Sequence, residues 1–362
     1  LCAPTGRARK RLSESAGAPA LTLHKAMYLN GEEDLSDLAD SEDLLEEELI
    51  IADEFTMSDM WLSSILFSRV RSGARLVLVG DVDQLPSVGP GAVFKAIIDS
   101  GIVPVTVLDV FFRQAKDSRI ILNADRMIRS QRTLIYGDDF QFHPAEDDHE
   151  AAKIIASLYQ AELVRAEGNP DMVQVLSPYR VKTEAGVNAL NRMLREIANP
   201  ASADTAQWNV GGQTFRIQDK VMQTRNVDNI SNGDIGRVVQ ISRRKDGNRQ
   251  LQVDFGEEKR MYQEEDLEDL EFAYATSVHK SQGAEYPVVI LPVLKCFYPM
   301  LRRDIYYTGI TRAKARVHLV GSKSALAIAI SRTNIGTRNT MLAERIQAEA
   351  KRQGYIPEWK AA

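Results

Sequence analysis

Two adjacent carboxylates, Asp53 and Glu54, close the apolar run "ELIIADE" at 48–54. Neighbouring side chains on a strand point to opposite faces, but a bend from strand into loop can turn both toward one site. There, one carboxylate could hold a hydrated Mg²⁺ while the other orients and deprotonates a water. A merely solvated strand end is the plain alternative. The string "VGDVDQLPSVGPG" at 79–91 is more specific. An apolar run stops at Asp81, and Gln84 follows it. A Gln amide both donates and accepts, so it can sense a terminal phosphate or position a water without adding charge. Pro86 and Pro90 stiffen the loop beyond it, while Gly89 and Gly91 free it. In "FFRQA", Arg113 could lie across a cleft and neutralise charge on a transferring phosphoryl group, or be a surface ion pair.

The last third holds a second group. "YATSVHKSQGAEYPVVILP" at 274–292 begins with Thr276, His279 and Lys280 and passes through Gly283 to Glu285. Hydroxyl, imidazole and ammonium suit contacts to a nucleic-acid backbone, and Glu285 could bond a ribose hydroxyl. Tyr274 and Tyr286 could stack on bases, but tyrosines in such a run are expected in the core. "YYTGITRAK" at 306–314 sets Arg312 at the end of an amphipathic segment, just before the apolar "RVHLVGS". That cation is either solvated or aimed at an anion between two domains.

Positioning these residues requires strands that end where they sit. "ELIIADE", "RLVLVGD" (75–81) and "VPVTVLD" (103–109) are short and β-branched, with helix-like segments between them. This is the texture of a doubly wound parallel sheet, whose ligands bind beyond the carboxyl ends of the strands. Residues 115–170 read as a charged helical connector. "VQVLSPYR" (173–180) restarts the strand pattern, followed by a helix with Val187, Leu190, Leu194 and Ile197 on one face. From 209 to 265, "GRVVQI" and "LQVDF" flank turn-rich "SRRKDGNR" and suggest a small antiparallel barrel. The α/β texture returns with "PVVILP" and "RVHLVGS".

The chain has 362 residues, 45 basic and 50 acidic, for a formal charge of −5. Its length calls for more than one domain. The charge excludes a protein that is basic all over, while leaving room for a local basic groove. No apolar run is long enough to span a membrane, and no membrane partner is expected. Cys2 and Cys296 match neither a disulfide framework nor a zinc spacing, and a reduced, cytoplasmic setting fits them. The start, "LCAPTGRAR", reads as the end of a buried strand, so the chain is expected to be a fragment beginning inside a domain.

The series "LCAPTGRAR", "DEFT", "GDVDQLPSVGPG", "FRQ", "HKSQGAEY" and "YTGITRAK" resembles the motif order of superfamily-one helicases. The closest likeness is to the RecD-like branch, which moves 5′ to 3′ along single-stranded DNA. The resemblance implies an α/β fold of two RecA-like parallel-sheet domains of the P-loop NTPase class. The first domain, 1–115, would be incomplete. A connector (116–170) leads to the second (171–208 and 266–345), which carries the barrel insertion at 209–265 and ends in a tail at 346–362. ATP and Mg²⁺ are implied cofactors. Asp53 matches the magnesium ligand, Glu54 the water-activating base and Gln84 the γ-phosphate reader. Arg113 and Arg312 match two arginines that reach the phosphates from either side of a cleft. Gly283 and Glu285 stand on the nucleotide side, Glu285 as a ribose contact. Thr5, Arg7, His24, Thr276, His279 and Lys280 fall in motifs that line the DNA track. Implied partners are single-stranded DNA, duplex junctions, and other repair or recombination subunits. Two other readings stay open: the helicase module of a conjugative relaxase, and a nucleic-acid-binding module without catalysis.

The family also requires a phosphate loop, G-x-x-x-x-G-K-[ST], whose backbone N–H groups and Lys grip the triphosphate. No Gly-Lys-Ser or Gly-Lys-Thr occurs in these 362 residues. The segment by itself is therefore expected neither to bind ATP tightly nor to unwind DNA.

Overall fold

The structure, a computed structural model, describes residues 1–29, 43–108, 118–203, 205–244, 247–333, 338, 340–355 and 357. The chain forms two compact units. The first combines 1–116 with 333–362, and the second is 117–332.

The first unit is built on a parallel four-stranded sheet. Strands β1 (Cys2–Ala3), β2 (Leu21–Thr22), β3 (Leu49–Ala52) and β4 (Arg75–Leu78) lie in the order β2-β1-β3-β4. Helix α1 (Gly6–Ala16) follows β1. It is capped by Thr5, whose hydroxyl accepts from Ala8 N–H at 3.2 Å, and it stops at Gly17, whose φ of 61° closes the last turn. Helices α2 (Leu23–Ala26), α3 (Met60–Arg69) and α4 (Val93–Ser100) complete the first pass. Ile50, Ala52, Phe55, Ile65, Leu66 and Val93 form the core between sheet and helices.

The second unit contains a parallel five-stranded sheet and an antiparallel module. Helix α5 (Arg119–Ile128), strand β5 (Phe140–Pro144) and helix α6 (Asp148–Arg165) come first, then β6 (Val173–Ser177) and helix α7 (Val187–Ala198). The antiparallel strands are β7 (Gln207–Val210), β8 (Gln213–Arg216), β9 (Lys220–Gln223), β10 (Ile235–Arg243), β11 (Arg249–Asp254), β12 (Lys259–Tyr262) and β13 (Leu270–Phe272). β7 pairs with β8, and the others run β12-β11-β10-β9-β13. Trp208, Phe215, Val221, Val238, Leu251, Val253 and Tyr262 share one core among them. The chain then returns to the parallel sheet with β14 (Ala275–Ser277), β15 (Tyr286–Val293), helix α8 (Arg303–Thr311), β16 (Ala313–Gly321) and helix α9 (Lys323–Ser331). The sheet order is β14-β6-β15-β16-β5. β15 is buried along nearly its whole length, as a central parallel strand must be. Helix α10 (Leu342–Arg352) rejoins the first unit, where Leu342 packs on its core and the Gln347 amide donates to Ser100 C=O at 2.9 Å.

Three details differ from the sequence reading. The run 103–109 forms no strand over its described residues: Val105, Val107 and Leu108 are 45%, 74% and 93% exposed. An apolar run becomes a parallel strand only when a neighbour takes its backbone groups, and none of the described strands does so here. The stretch 116–170 is more than a connector, because β5 pairs with β16 and α6 packs on the second sheet. The stretch after 332 belongs with the first unit. Among the described residues no helix is long and apolar enough to cross a membrane, and Cys2 and Cys296 are both free thiols.

A buried ionic junction mounts the antiparallel module on the parallel sheet. Asp219, fully buried, accepts two bonds from Arg195 of α7 at 2.8 and 2.6 Å. It also accepts from the Asn199 amide, the Arg216 N–H and the Tyr274 hydroxyl. Next to it Lys220 Nζ donates to Pro170 C=O at 2.8 Å and to Gln174 Oε1 at 3.1 Å. Removing one partner of such a set strands a buried charge. Asp219→Ala is expected to cost roughly 3–5 kcal/mol in urea unfolding.

The buried Glu162 of α6 accepts from Arg316 at 2.6 Å, Arg165 at 2.8 Å and His318 at 3.2 Å; the His318 ring also meets the His143 ring at 3.1 Å. Burial holds both histidines below their ordinary 6.5, with Glu162 opposing it at His318. Depressed histidines contribute stability that is whole above 6.5 and lost as pH falls toward their folded values. Stability measured by thermal melts should therefore drop as pH falls below 6.5, and His143→Gln should flatten that drop.

Candidate functional site

In the first unit the acids and the glutamine come together at the carboxyl ends of β3 and β4. Ala52 ends β3, and Asp53 accepts the Glu54 N–H on its own carboxylate at 2.8 Å. Glu54 adopts the left-handed conformation, φ 51°. Such a backbone is uncommon for a non-glycine residue and clusters at functional sites. It bends the chain into the helical turn Phe55–Met57 and turns two neighbouring carboxylates out of strand alternation. The Glu54 side chain is 11% exposed, and Arg11 of α1 lies 3.6 Å from its Oε1.

The second strand end is tied to the first. The Thr56 hydroxyl accepts from Asp81 N–H and donates to Asp81 C=O, both at 3.1 Å. Asp81 Oδ2 accepts from the Gln84 amide at 3.1 Å, while Asp81 Oδ1 accepts Asp83 N–H. Gln84 is thus held with its carbonyl oxygen turned away from Asp81. The loop beyond it packs closely on α3: a Cβ at Gly89 would fall 2.0 Å from Asp59 Oδ2. Asp59 is the N-cap of α3, accepting Leu62 N–H, so a side chain at 89 would displace the cap.

Sequence reasoning missed the residue that clamps this loop. The Arg338 guanidinium donates to Gly89 C=O at 2.7 Å, Gly91 C=O at 2.6 Å, Ser87 C=O at 2.6 Å and Ser87 Oγ at 3.1 Å.

In the second unit, two motifs meet. Tyr286 N–H donates to Arg312 C=O at 2.8 Å, and Arg312 Nη1 donates to Ala284 C=O at 3.3 Å. Arg312 is 3% exposed at the C-terminus of α8, so the solvated-surface reading of this cation fails. Glu285 pairs with Lys314 at 2.7 Å. Gly283 supplies the turn with a φ of 72°. His279 is half-buried in the turn His279–Ser281. Burial first, and then the Arg302 cation, hold its pKa below the ordinary value, with Asp304 opposing. Lys280 pairs with Glu271 at 3.4 Å, and Thr276 is buried within β14.

The remaining residues are placed as follows. Thr5 spends its hydroxyl on the α1 cap, Arg7 is half-buried on that helix, and His24 is exposed on α2. Tyr274 and Tyr286 are core residues. Arg113 lies outside the described residues. Among the described residues no three metal-ligating side chains converge.

Sequence comparisons locate three family models along the chain. An AAA domain matches residues 1–146, the SH3 domain of ATP-dependent RecD-like DNA helicases matches 190–255, and the UvrD-like helicase C-terminal domain matches 272–320. The chain is 34% identical over 350 residues to the ATP-dependent RecD2 DNA helicase of Deinococcus radiodurans, covering 96% of this chain and 46% of that protein. It is 27% identical over 380 residues to the RecBCD enzyme subunit RecD of Mycolicibacterium smegmatis, covering 96% and 66%. The chain thus spans between about half and two thirds of these relatives. A crystal structure of Pif1 helicase from Candida albicans shares the fold, with a TM-score of 0.50 at 18% identity over 97% of this chain and 88% of that one.

Arg338→Ala should remove a charged donor from the Ser87, Gly89 and Gly91 carbonyls, the last two keeping the Ser87 hydroxyl between them, and cost about 1–3 kcal/mol. Hydrogen exchange would show the loss first at the amides of Ser87–Gly91. The three domain matches, in this order on two α/β units with an antiparallel insertion, place the chain in the RecD-like helicase family.

Proposed function

We propose that these residues form the catalytic and DNA-gripping part of an ATP-dependent DNA helicase that moves 5′ to 3′ on single-stranded DNA during repair or recombination. One observation carries this reading. Asp53, Glu54 and Gln84 converge at two adjacent strand ends, joined through Thr56 and Asp81.

The roles follow from chemistry. Glu54 accepts the proton of the attacking water. Gln84, steadied by Asp81, orients against the terminal phosphate without adding charge. Asp53 has one carboxylate oxygen engaged by Glu54 N–H and would offer the other to Mg²⁺. The metal, when bound, neutralises charge on the phosphate oxygens. Arg312 stabilises charge developing in transfer, with Arg113 as its counterpart. Glu285 takes the ribose beside Gly283. Arg7, His24, His279 and Lys280, with Thr5 and Thr276 in the same motifs shaping the backbone, would line the DNA path, so that closure and release around ATP move the strand. The phosphate loop that completes the triphosphate grip is not among these residues, so the segment alone is inactive.

The test uses the full-length protein. Glu54→Gln should lower single-strand-stimulated ATP hydrolysis by about 10²–10⁴, and Arg312→Ala by about 10³–10⁵, while fluorescence anisotropy shows oligonucleotide binding retained. Normal turnover in either variant would defeat the assignment. Binding should weaken linearly with the logarithm of salt.

A further inference from the structure

Helix α1 is more cationic than its place beside a catalytic carboxylate requires. Its sequence, GRARKRLSESA, carries Arg7, Arg9, Lys10 and Arg11 in five residues, against one acid, Glu14. A fixed cluster of this kind suits a strand of phosphodiesters. The last of these cations is Arg11, and its Nη1 stands 3.6 Å from Glu54 Oε1. The two partners differ in access: Arg11 is 43% exposed and Glu54 is 11% exposed. A polyanion can reach the guanidinium but not the carboxylate.

The backbone narrows what the pair can do. Glu54 has its N–H held by Asp53, and Phe55 N–H donates to Val79 C=O at 2.8 Å. The Cα of Glu54 is therefore fixed, and only its side-chain torsions decide where the carboxylate lies. A carboxylate engaged by a guanidinium is a poorer proton acceptor and is pulled toward that cation.

Resting on the ATPase reading above, we propose that Arg11 is a positioning residue that restrains Glu54 until a nucleic-acid strand bound along α1 draws the guanidinium onto its phosphates. Glu54 is then released to the water. The helix that senses the strand and the carboxylate that limits hydrolysis are linked by one ion pair, without a change of fold.

Steady-state ATP hydrolysis by the full-length protein, with and without saturating oligo(dT), tests this. Arg11→Ala should raise the strand-free kcat by about fivefold, the scale set by a partly exposed ion pair. The strand-saturated kcat should stay within about twofold, and KM for ATP should not move. Arg11→Lys, which keeps the charge, should retain most of the restraint. An unchanged strand-free kcat in Arg11→Ala, or an equal fall with and without the strand, overturns the proposal. Glu54→Gln separates the two levels. If it loses turnover while Arg11→Ala changes nothing, only the restraint is wrong. If Glu54→Gln turns over normally, the ATPase reading itself falls.

Discussion

One hydroxyl holds the candidate site together. Thr56 Oγ1 takes the N–H and gives to the C=O of Asp81, so the chain leaving β3 is bonded twice to the chain leaving β4. Parallel strands carry their carboxyl ends to the same edge, but register alone does not fix loops. The Thr56 bridge does, and it works because the loop can come close: a Cβ at Gly80 would sit 2.6 Å from that oxygen. Asp53, Glu54 and Gln84 then inherit fixed positions. Fixing polar groups in advance removes orientation entropy from any chemistry they would perform.

Fixed direction is also what the buried charges of the second unit supply. Asp219 with Arg195, and Glu162 with Arg316, are taken out of water at several kcal/mol each before pairing offsets it. An apolar pair of similar volume would be as stable. What the ionic version supplies is direction, since a bidentate guanidinium–carboxylate contact admits few geometries. At Asp219 that direction sets the antiparallel module against the parallel sheet. At Arg312 a buried planar guanidinium, with Nη1 on Ala284 C=O, is held to one orientation that a lysine on a flexible stem would not keep.

Much of this was legible in the residues. The β-branched runs mark β3, β4, β6, β15 and β16, and the acids at the ends of β3 and β4 mark the edge where ligands bind. Arg312 was readable as unusual because a cation precedes a buried strand, though its burial was not. Legibility failed where partners are distant. The run 103–108 looks like a strand because apolarity is local, but pairing is not. β5, FQFHP, is short and mixed, and earns its place only through β16, some 175 residues on. Arg338 was invisible for the same reason: nothing around it says that four acceptors lie about 250 residues upstream.

Arg338 also exposes a constraint on assembly. The first unit is discontinuous, and its loop at 86–91 is clamped by a residue that follows the whole of 117–332. Closing so long a loop costs chain entropy that grows only logarithmically with length, so the clamp remains affordable in equilibrium terms. Kinetically it is late, because non-local contacts form after local ones. β3 and β4 can pair as soon as residue 78 is available, yet the loop after Gln84 cannot take its final shape until residue 338 arrives. The acids are therefore set early and the glutamine loop last. A substitution that slows folding of 117–332 should delay the loop while leaving the Asp53–Glu54 bend formed.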